Sequence, residues 1–154
     1  MTNTIIGVAP ESGRKLMNPP LPQWEISGPA AKNIPRRVLV VDDEPLIRWS
    51  VTETLSGLGL DVEQAGDAIT ALRLITGGPL EFDVIVLDLR LPDMRDLSLL
   101  ATIRQLQPDA SIVLMTAYGS DEIVERAVAL GTRAVLSKPF ELGSLVDAVY
   151  GVSA

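Results

Sequence analysis

The chain reads as a doubly wound α/β domain of the (βα)₅ kind, a five-stranded parallel sheet with helices on both faces. Two observations carry that reading. From residue 36 onward, short β-branched or apolar runs alternate five times with stretches of helical spacing. Three of those runs are apolar almost throughout, as strands covered on both faces require. The length of 154 residues fits one such domain with a leader.

Each element has its own justification. Val38-Leu-Val-Val41 is the first strand. The helix after it carries Ile47, Val51 and Leu55 one turn apart, and Gly57 and Gly59 stop it. Asp61-Val-Glu-Gln-Ala65 alternates apolar and polar residues, which places the second strand at an edge of the sheet. Asp67 is a good N-cap for a helix through Ala68, Ala71, Leu72 and Ile75, ended by Gly77-Gly78. Val84-Ile-Val-Leu87 is the third strand, and Leu99, Ile103 and Leu106 mark a helix halted before Pro108. Ile112-Val-Leu-Met115 is the fourth strand. Ser120 opens the next helix, through Ile123, Ala127 and Leu130, and Gly131 closes it. Ala134-Val-Leu136 is the fifth strand. Leu142, Leu145, Val146 and Val149 form a last amphipathic helix ending near Gly151.

Composition divides the chain near residue 35. Six of the 11 prolines lie in residues 1–35, where no helical or alternating period survives. Residues 1–37 carry a net charge of +3 and the remainder −10. Residues 1–34 are therefore expected to be a Pro-rich, disordered arm and residues 35–152 the folded domain. Trp24 is the one feature of the arm suited to docking.

The same arithmetic excludes whole classes of chemistry. A formal charge of −7 argues against direct nucleic-acid binding, which needs clustered Lys and Arg. With no Cys and no His there is no thiol nucleophile, no thiolate or imidazole metal site and no His-based triad. Any metal must be held by oxygen, which points to a hard cation such as Mg²⁺, Mn²⁺ or Ca²⁺. No apolar run approaches the ~20 residues of a membrane span. The start lacks a basic n-region, so no membrane partner is expected and the cytoplasm is the expected compartment.

In a doubly wound sheet the site lies beyond the strands' carboxyl ends. Asp42-Asp43-Glu44-Pro45 follows the first strand, Asp88 the third, Thr116 the fourth and Ser137-Lys138-Pro139-Phe140 the fifth. Singly, each has a bland explanation, as a helix cap, a turn residue or a solvated charge. Jointly, the set falls on consecutive core strands. Carboxylates gathered this closely repel each other unless a cation neutralises them. Lys138 offers a compact positive charge and Thr116 a hydroxyl donor, so the constellation suits a carboxylate nucleophile built for phosphoryl transfer.

The segments Val38-Leu-Val-Val-Asp-Asp-Glu-Pro45, Asp83-Val-Ile-Val-Leu-Asp-Leu-Arg-Leu-Pro-Asp93, Val113-Leu-Met-Thr-Ala-Tyr-Gly119 and Leu136-Ser-Lys-Pro-Phe140 resemble the receiver domain of two-component response regulators, with a nitrogen-regulation flavour. The resemblance spans about residues 36–151. It implies the flavodoxin-like strand order 2-1-3-4-5. It implies that Asp88 accepts a phosphoryl group from a sensor histidine kinase or a histidine phosphotransfer protein. Asp43, Asp88 and the main-chain carbonyl of Arg90 would ligate Mg²⁺ or Mn²⁺, with Asp42 acting mostly through water. Thr116 and Lys138 would contact the phosphoryl oxygens. A cis Lys138–Pro139 peptide is also implied.

Two positions depart from the family pattern. Val135 stands where Tyr or Phe is usual, so the aromatic readout is expected to be altered. Asp96 stands where Gly is common, which bears on the loop and on the start of the third helix. Arg90 and Tyr118 are expected to flank the phosphoryl group and slow hydrolysis.

The chain ends soon after the fifth helix, so the expectation is a stand-alone receiver signalling by protein contact. Its output face is expected on the fourth helix, fifth strand and fifth helix, drawing on Asp121, Glu122, Glu125, Arg126, Arg133, Asp147 and Tyr150. The downstream protein is unknown, and a phosphorylation-dependent homodimer is left open. Apart from its own phosphoryl transfer and self-dephosphorylation, no enzymatic activity is expected. The competing readings are a phosphate sink, a phosphorylation-independent scaffold and an aspartyl-nucleophile phosphatase. The phosphatase reading wants Asp-x-Asp after the first strand, whereas this chain has adjacent Asp42-Asp43. A flavin-binding module is disfavoured by the acidic pair where a cofactor phosphate would sit.

Overall fold

The computed structural model describes residues 34–152, apart from 79, 80 and 118. The arm with Trp24, and the side chain of Tyr118, lie outside the described residues. Strands and helices alternate along the rest: β1 (Arg37–Val41), α1 (Pro45–Gly57), β2 (Asp61–Ala65), α2 (Ala68–Gly77), β3 (Val84–Asp88), α3 (Ser98–Leu106), β4 (Ser111–Thr116), α4 (Asp121–Ala129), β5 (Ala134–Ser137) and α5 (Leu142–Tyr150). The sheet runs β2-β1-β3-β4-β5 with every neighbouring pair parallel. This is the doubly wound order expected from the sequence, with the alternating strand at an edge.

The two-residue period of a strand divides the core between the sheet's two faces. Leu39, Val41, Ile85, Leu87, Ile112 and Leu114 point to one side and pack with α2, α3 and Ala127 of α4. Val38, Val40, Val84, Val86, Val113 and Met115 point to the other and pack with Val51 and Leu55 of α1 and Leu145 and Val149 of α5. Fully burying a side chain of this size contributes about 1.5–3 kcal/mol. β1, β3 and β4 therefore form a stiff platform.

Local chemistry fixes the helix ends. The Asp67 carboxylate accepts from the Thr70 amide at 2.7 Å, as an N-cap should. These hydrogen bonds from Thr70 hold the Asp67 carboxyl below its ordinary range. Asp93, in the loop after β3, accepts from the amides of Ala68 and Ile69 at 2.9 and 3.1 Å, so α2 is tied to that loop. Ser120 accepts from the Ile123 amide at 3.3 Å and opens α4. Asp96 accepts from the Ser98 amide at 2.9 Å, so this departure from the family pattern supplies a start signal for α3. The Lys138–Pro139 peptide is cis.

Two apolar positions of the helical patterns are not core. Leu106 is 45% exposed and Leu142 38%. Each is a terminal residue of its helix.

Candidate functional site

Strand register gathers the residues. Val41 of β1 pairs with Leu87 of β3, so the next residues along, Asp42 and Asp88, are neighbours. Asp88 pairs with Met115, which sets Thr116 one step beyond it on β4. Thr116 pairs with Ser137, and Lys138 follows. A one-residue slip of any strand would send these side chains to the opposite face. The apolar runs that fix the register therefore also fix the site.

Carboxylate oxygens of Asp42, Asp43 and Asp88 lie within 4.8 Å of one another. Asp42 and Asp88 are buried, whereas Asp43 is exposed. Lys138 reaches back from the end of β5 to lock this cluster. Its Nζ lies 2.9 Å from Asp42 Oδ2, 3.2 Å from Asp88 Oδ2 and 2.8 Å from Glu44 Oε1. The Arg90 amide donates to Asp88 Oδ1 at 3.1 Å, and the Glu44 amide to Asp42 Oδ1 at 2.8 Å. Arg48 Nη1 donates to the Asp42 carbonyl at 2.6 Å. Glu44, not either aspartate, is the N-cap residue of α1, so the bland cap reading of Asp42-Asp43 does not hold. The cluster opens into a cleft of about 360 Å³ lined by Asp43, Glu44, Asp88, Arg90, Arg95 and Lys138, among others.

Burial is the largest influence on Asp88 and raises its carboxyl to about 6. The charge of Asp42 adds to the rise, while the Arg90 amide and Lys138 oppose it. Asp88 is thus ionised at neutral pH but more basic than an ordinary aspartate. Burial alone would lower the Lys138 ammonium. The hydrogen bonds to Glu44 and Asp42 and the two aspartate charges outweigh it, so Lys138 stays above the usual lysine value.

The donor set fits a hard divalent cation. It consists of carboxylate oxygens converging on one point, with no nitrogen or sulfur ligand. The Asp43 carboxylate makes no hydrogen bond or ion pair among the described residues, so it is open to a ligand role.

Thr116 is buried at the end of β4, and its methyl packs against Gly119. A Cβ on Gly119 would sit 2.9 Å from Thr116 Cγ2 and 3.5 Å from Val124 Cγ2 of α4. Any side chain at residue 119 would force Thr116 to shift.

Sequence reasoning missed Glu44, Arg95 and the bracing role of Arg133. Glu44 was read only as part of the acidic run, yet it is a full partner of Lys138. Arg95 lines the cleft without any periodic or motif signal. Arg133, expected on the output face, instead donates to the Val149 and Ala148 carbonyls at 2.8 and 3.3 Å and to Ser111 Oγ at 2.7 Å. It ties the end of α5 to the sheet while remaining exposed, a structural role that the expectation of an output-face charge did not include. Only the convergence of strand ends was legible, because the reach of a long side chain depends on tertiary placement.

A doubly wound domain with an acidic pocket at its strand ends and a lysine across it defines a class of phosphoryl-accepting signalling module. The comparisons agree. The family model described as the response regulator receiver domain matches residues 38–150. The response regulator protein PilR of Pseudomonas aeruginosa is 37% identical over 114 residues, covering 74% of this chain and 25% of that protein. Sporulation initiation phosphotransferase F of Bacillus subtilis is 28% identical, covering 73% of this chain and 90% of that protein. Among solved structures, a response regulator from Burkholderia pseudomallei with a phosphorylated aspartic acid and a calcium ion is 34% identical with a TM-score of 0.68, covering 74% of this chain and 66% of that one. The Vibrio cholerae chemotaxis protein CheY4 is 31% identical with a TM-score of 0.69, covering 77% and 98%. The chain spans about a quarter of the length of PilR and of the NtrC regulator of Azospirillum brasilense.

The chain belongs to the response regulator receiver family. Receiver domains are phosphorylation-activated signalling modules of two-component systems that work with histidine kinases or phosphotransfer proteins and bind a divalent metal in an acidic pocket. Among the described residues, no helix is long and apolar enough to cross a membrane.

Proposed function

We propose that residues 35–152 form a receiver whose phosphoacceptor is Asp88. The observation that carries this reading is the position of Asp88. It ends the central strand, buried, at the floor of the cleft, with Lys138 Nζ 3.2 Å from its Oδ2. The donor is a phosphohistidine of a sensor kinase or a phosphotransfer protein. An Asp88 oxygen attacks phosphorus; the O–P bond forms as the N–P bond breaks, and the imidazole nitrogen keeps the electron pair and takes a proton from water.

Asp42, Asp43, Asp88 and the main-chain carbonyl of Arg90 would hold Mg²⁺ or Mn²⁺, which supplies positive charge for the phosphoryl oxygens. Lys138 exchanges part of its carboxylate pairing for a phosphoryl oxygen, and the Thr116 hydroxyl donates to another. Hydrolysis of the acyl phosphate resets the domain, which turns over no other substrate.

Output leaves by protein contact over α4, β5 and α5, and phosphorylation-dependent homodimerisation belongs to the same reading. The charge of −10 over residues 38–154 opposes direct nucleic-acid contact by the domain. The proposed compartment is the cytoplasm, where a kinase draws on ATP. Val135, half-buried and without a ring, favours a second reading in which the domain drains phosphoryl groups from a shared kinase. A phosphorylated form that binds no new partner would select it.

Incubation with Mg²⁺ and a small acyl phosphate, followed by intact mass, tests the first reading. It predicts the gain of one phosphoryl group, and no gain would contradict it.

A further inference from the structure

α4 is held differently from its neighbours. α1, α2, α3 and α5 each bury three residues, whereas α4 buries only Ala127. Val128 on the same helix is 57% exposed. Beside α4 lies a cleft of about 460 Å³, lined by Leu97, Ala101, Arg126, Ala129 and Leu130 among others. Tight packing resists displacement, and here one flank has none to resist with.

Among the described residues, the side chain that fastens the C-terminal end of α4 comes from α3, beside the backbone bond from the Arg133 amide to the Ile112 carbonyl. Arg104 donates from Nε to the Leu130 carbonyl at 3.1 Å and from Nη2 to the Gly131 carbonyl at 3.0 Å. Its Nη1 donates to the carbonyls of Pro108 and Ala110, both at 2.9 Å. A guanidinium on the last carbonyls of a helix meets the negative end of the helix dipole and satisfies groups the helix leaves unpaired. Gly131, at φ +88°, ends the helix, and a Cβ there would lie 3.4 Å from the guanidinium. At the N-terminal end, Gly119 lies beside the Thr116 methyl with so little room that an added Cβ would sit 2.9 Å from it, and Val124 of the first turn borders the same spot.

We propose that Arg104 is a positioning residue that makes the C-terminal end of α4 a fixed pivot, so that movement of Thr116 displaces only the N-terminal end. The inference rests on the reading of Asp88 as the phosphoacceptor. It gives this receiver a transmission route that needs no aromatic ring at residue 135. Thr116 bears on Gly119, two residues before the helix, and the helix swings about its Arg104-bound end along the open flank.

The test is amide hydrogen exchange of the full chain with Mg²⁺, with and without the phosphoryl mimic beryllofluoride. Wild type, Arg104→Met and Arg104→Lys are compared, and intact mass after a small acyl phosphate is measured in parallel. In wild type, the mimic is expected to change exchange at residues 119–125 and leave 128–132 unmoved. Arg104→Met removes the hydrogen bonds and keeps the stem. It should speed exchange at 128–132 about tenfold, the effect of losing charge-assisted bonds. It should also spread the mimic's effect along the helix, with phosphoryl uptake unchanged. Arg104→Lys should recover part of the wild-type pattern. Normal uptake with a mimic response uniform along α4 in wild type, or with Arg104→Met matching wild type, would overturn the pivot alone. Absence of uptake in all three would overturn the reading beneath it.

Discussion

Lys138 Nζ lies 3.2 Å from Asp88 Oδ2 although 50 residues separate them in the chain. The contact closes the acidic cluster from the far edge of the sheet. The same ammonium holds Asp42, which is fully buried, so one cation compensates two buried carboxylates. Removing one partner of such a group leaves uncompensated charge, which costs more than the pair contributes.

Lys138→Met should therefore destabilise the metal-free domain by about 3 kcal/mol. Mg²⁺ should restore part of that loss, since a divalent cation offsets the same charges. Urea unfolding with EDTA and with Mg²⁺ measures both.

The raised Asp88 carboxyl gives a pH dependence of known sign. Its folded value of about 6 exceeds the ordinary 3.8. Its contribution to metal-free stability is thus fully present below 3.8 and lost as pH rises through about 6. Asp88→Asn, which carries no charge at either pH, should gain about 1–2 kcal/mol relative to wild type between pH 4 and pH 8, after allowance for solvent screening. Mg²⁺ affinity should fall as pH drops through the same window, because the proton and the metal compete. Urea unfolding and metal titration at both ends of the window check the two signs.

Gly119→Ala places a Cβ 2.9 Å from Thr116 Cγ2. The protein should still fold, at a cost of about 1–3 kcal/mol for overpacking. Thr116 is displaced in the process. Phosphoryl uptake should slow while Mg²⁺ affinity is unchanged, which separates the two halves of the site in a stopped-flow and metal-titration pair.

Arg133→Ala removes the ties to Val149, Ala148 and Ser111 and should cost about 1–3 kcal/mol. Phosphoryl uptake should match wild type. Chemical unfolding and intact mass distinguish this bracing role from one at the site.

Arg90 lines the cleft two residues after Asp88, and we propose that its side chain obstructs the in-line approach of water. Arg90→Ala should lose its phosphoryl group several times faster than wild type. A decay series followed by mass gives the ratio.

Much of this was legible in the sequence because period and breakers act locally. The apolar runs of β1, β3 and β4 and the cap at Asp67 determine where elements begin and which strands are central. Register then carries Asp42, Asp88, Thr116 and Lys138 to one edge with no further information. What stayed hidden lies in long side chains. Glu44 turns toward Lys138, Arg104 spans to the end of α4, and Arg133 braces α5. Each choice depends on where a distant backbone carbonyl or ammonium ends up. Leu106 shows the opposite failure: its spacing is right, but as the last residue of α3 it is left outside the core.

The central claim is that Asp88 itself carries the phosphoryl group, and locating the modification tests it most directly. After reaction with a small acyl phosphate and Mg²⁺, borohydride reduction converts an aspartyl phosphate to homoserine, which peptide mass spectrometry places in the chain. Homoserine at residue 88 in wild type, and none in Asp88→Asn, is the predicted result. Homoserine at residue 42 or 43, or modification of Asp88→Asn to the wild-type extent, would contradict it.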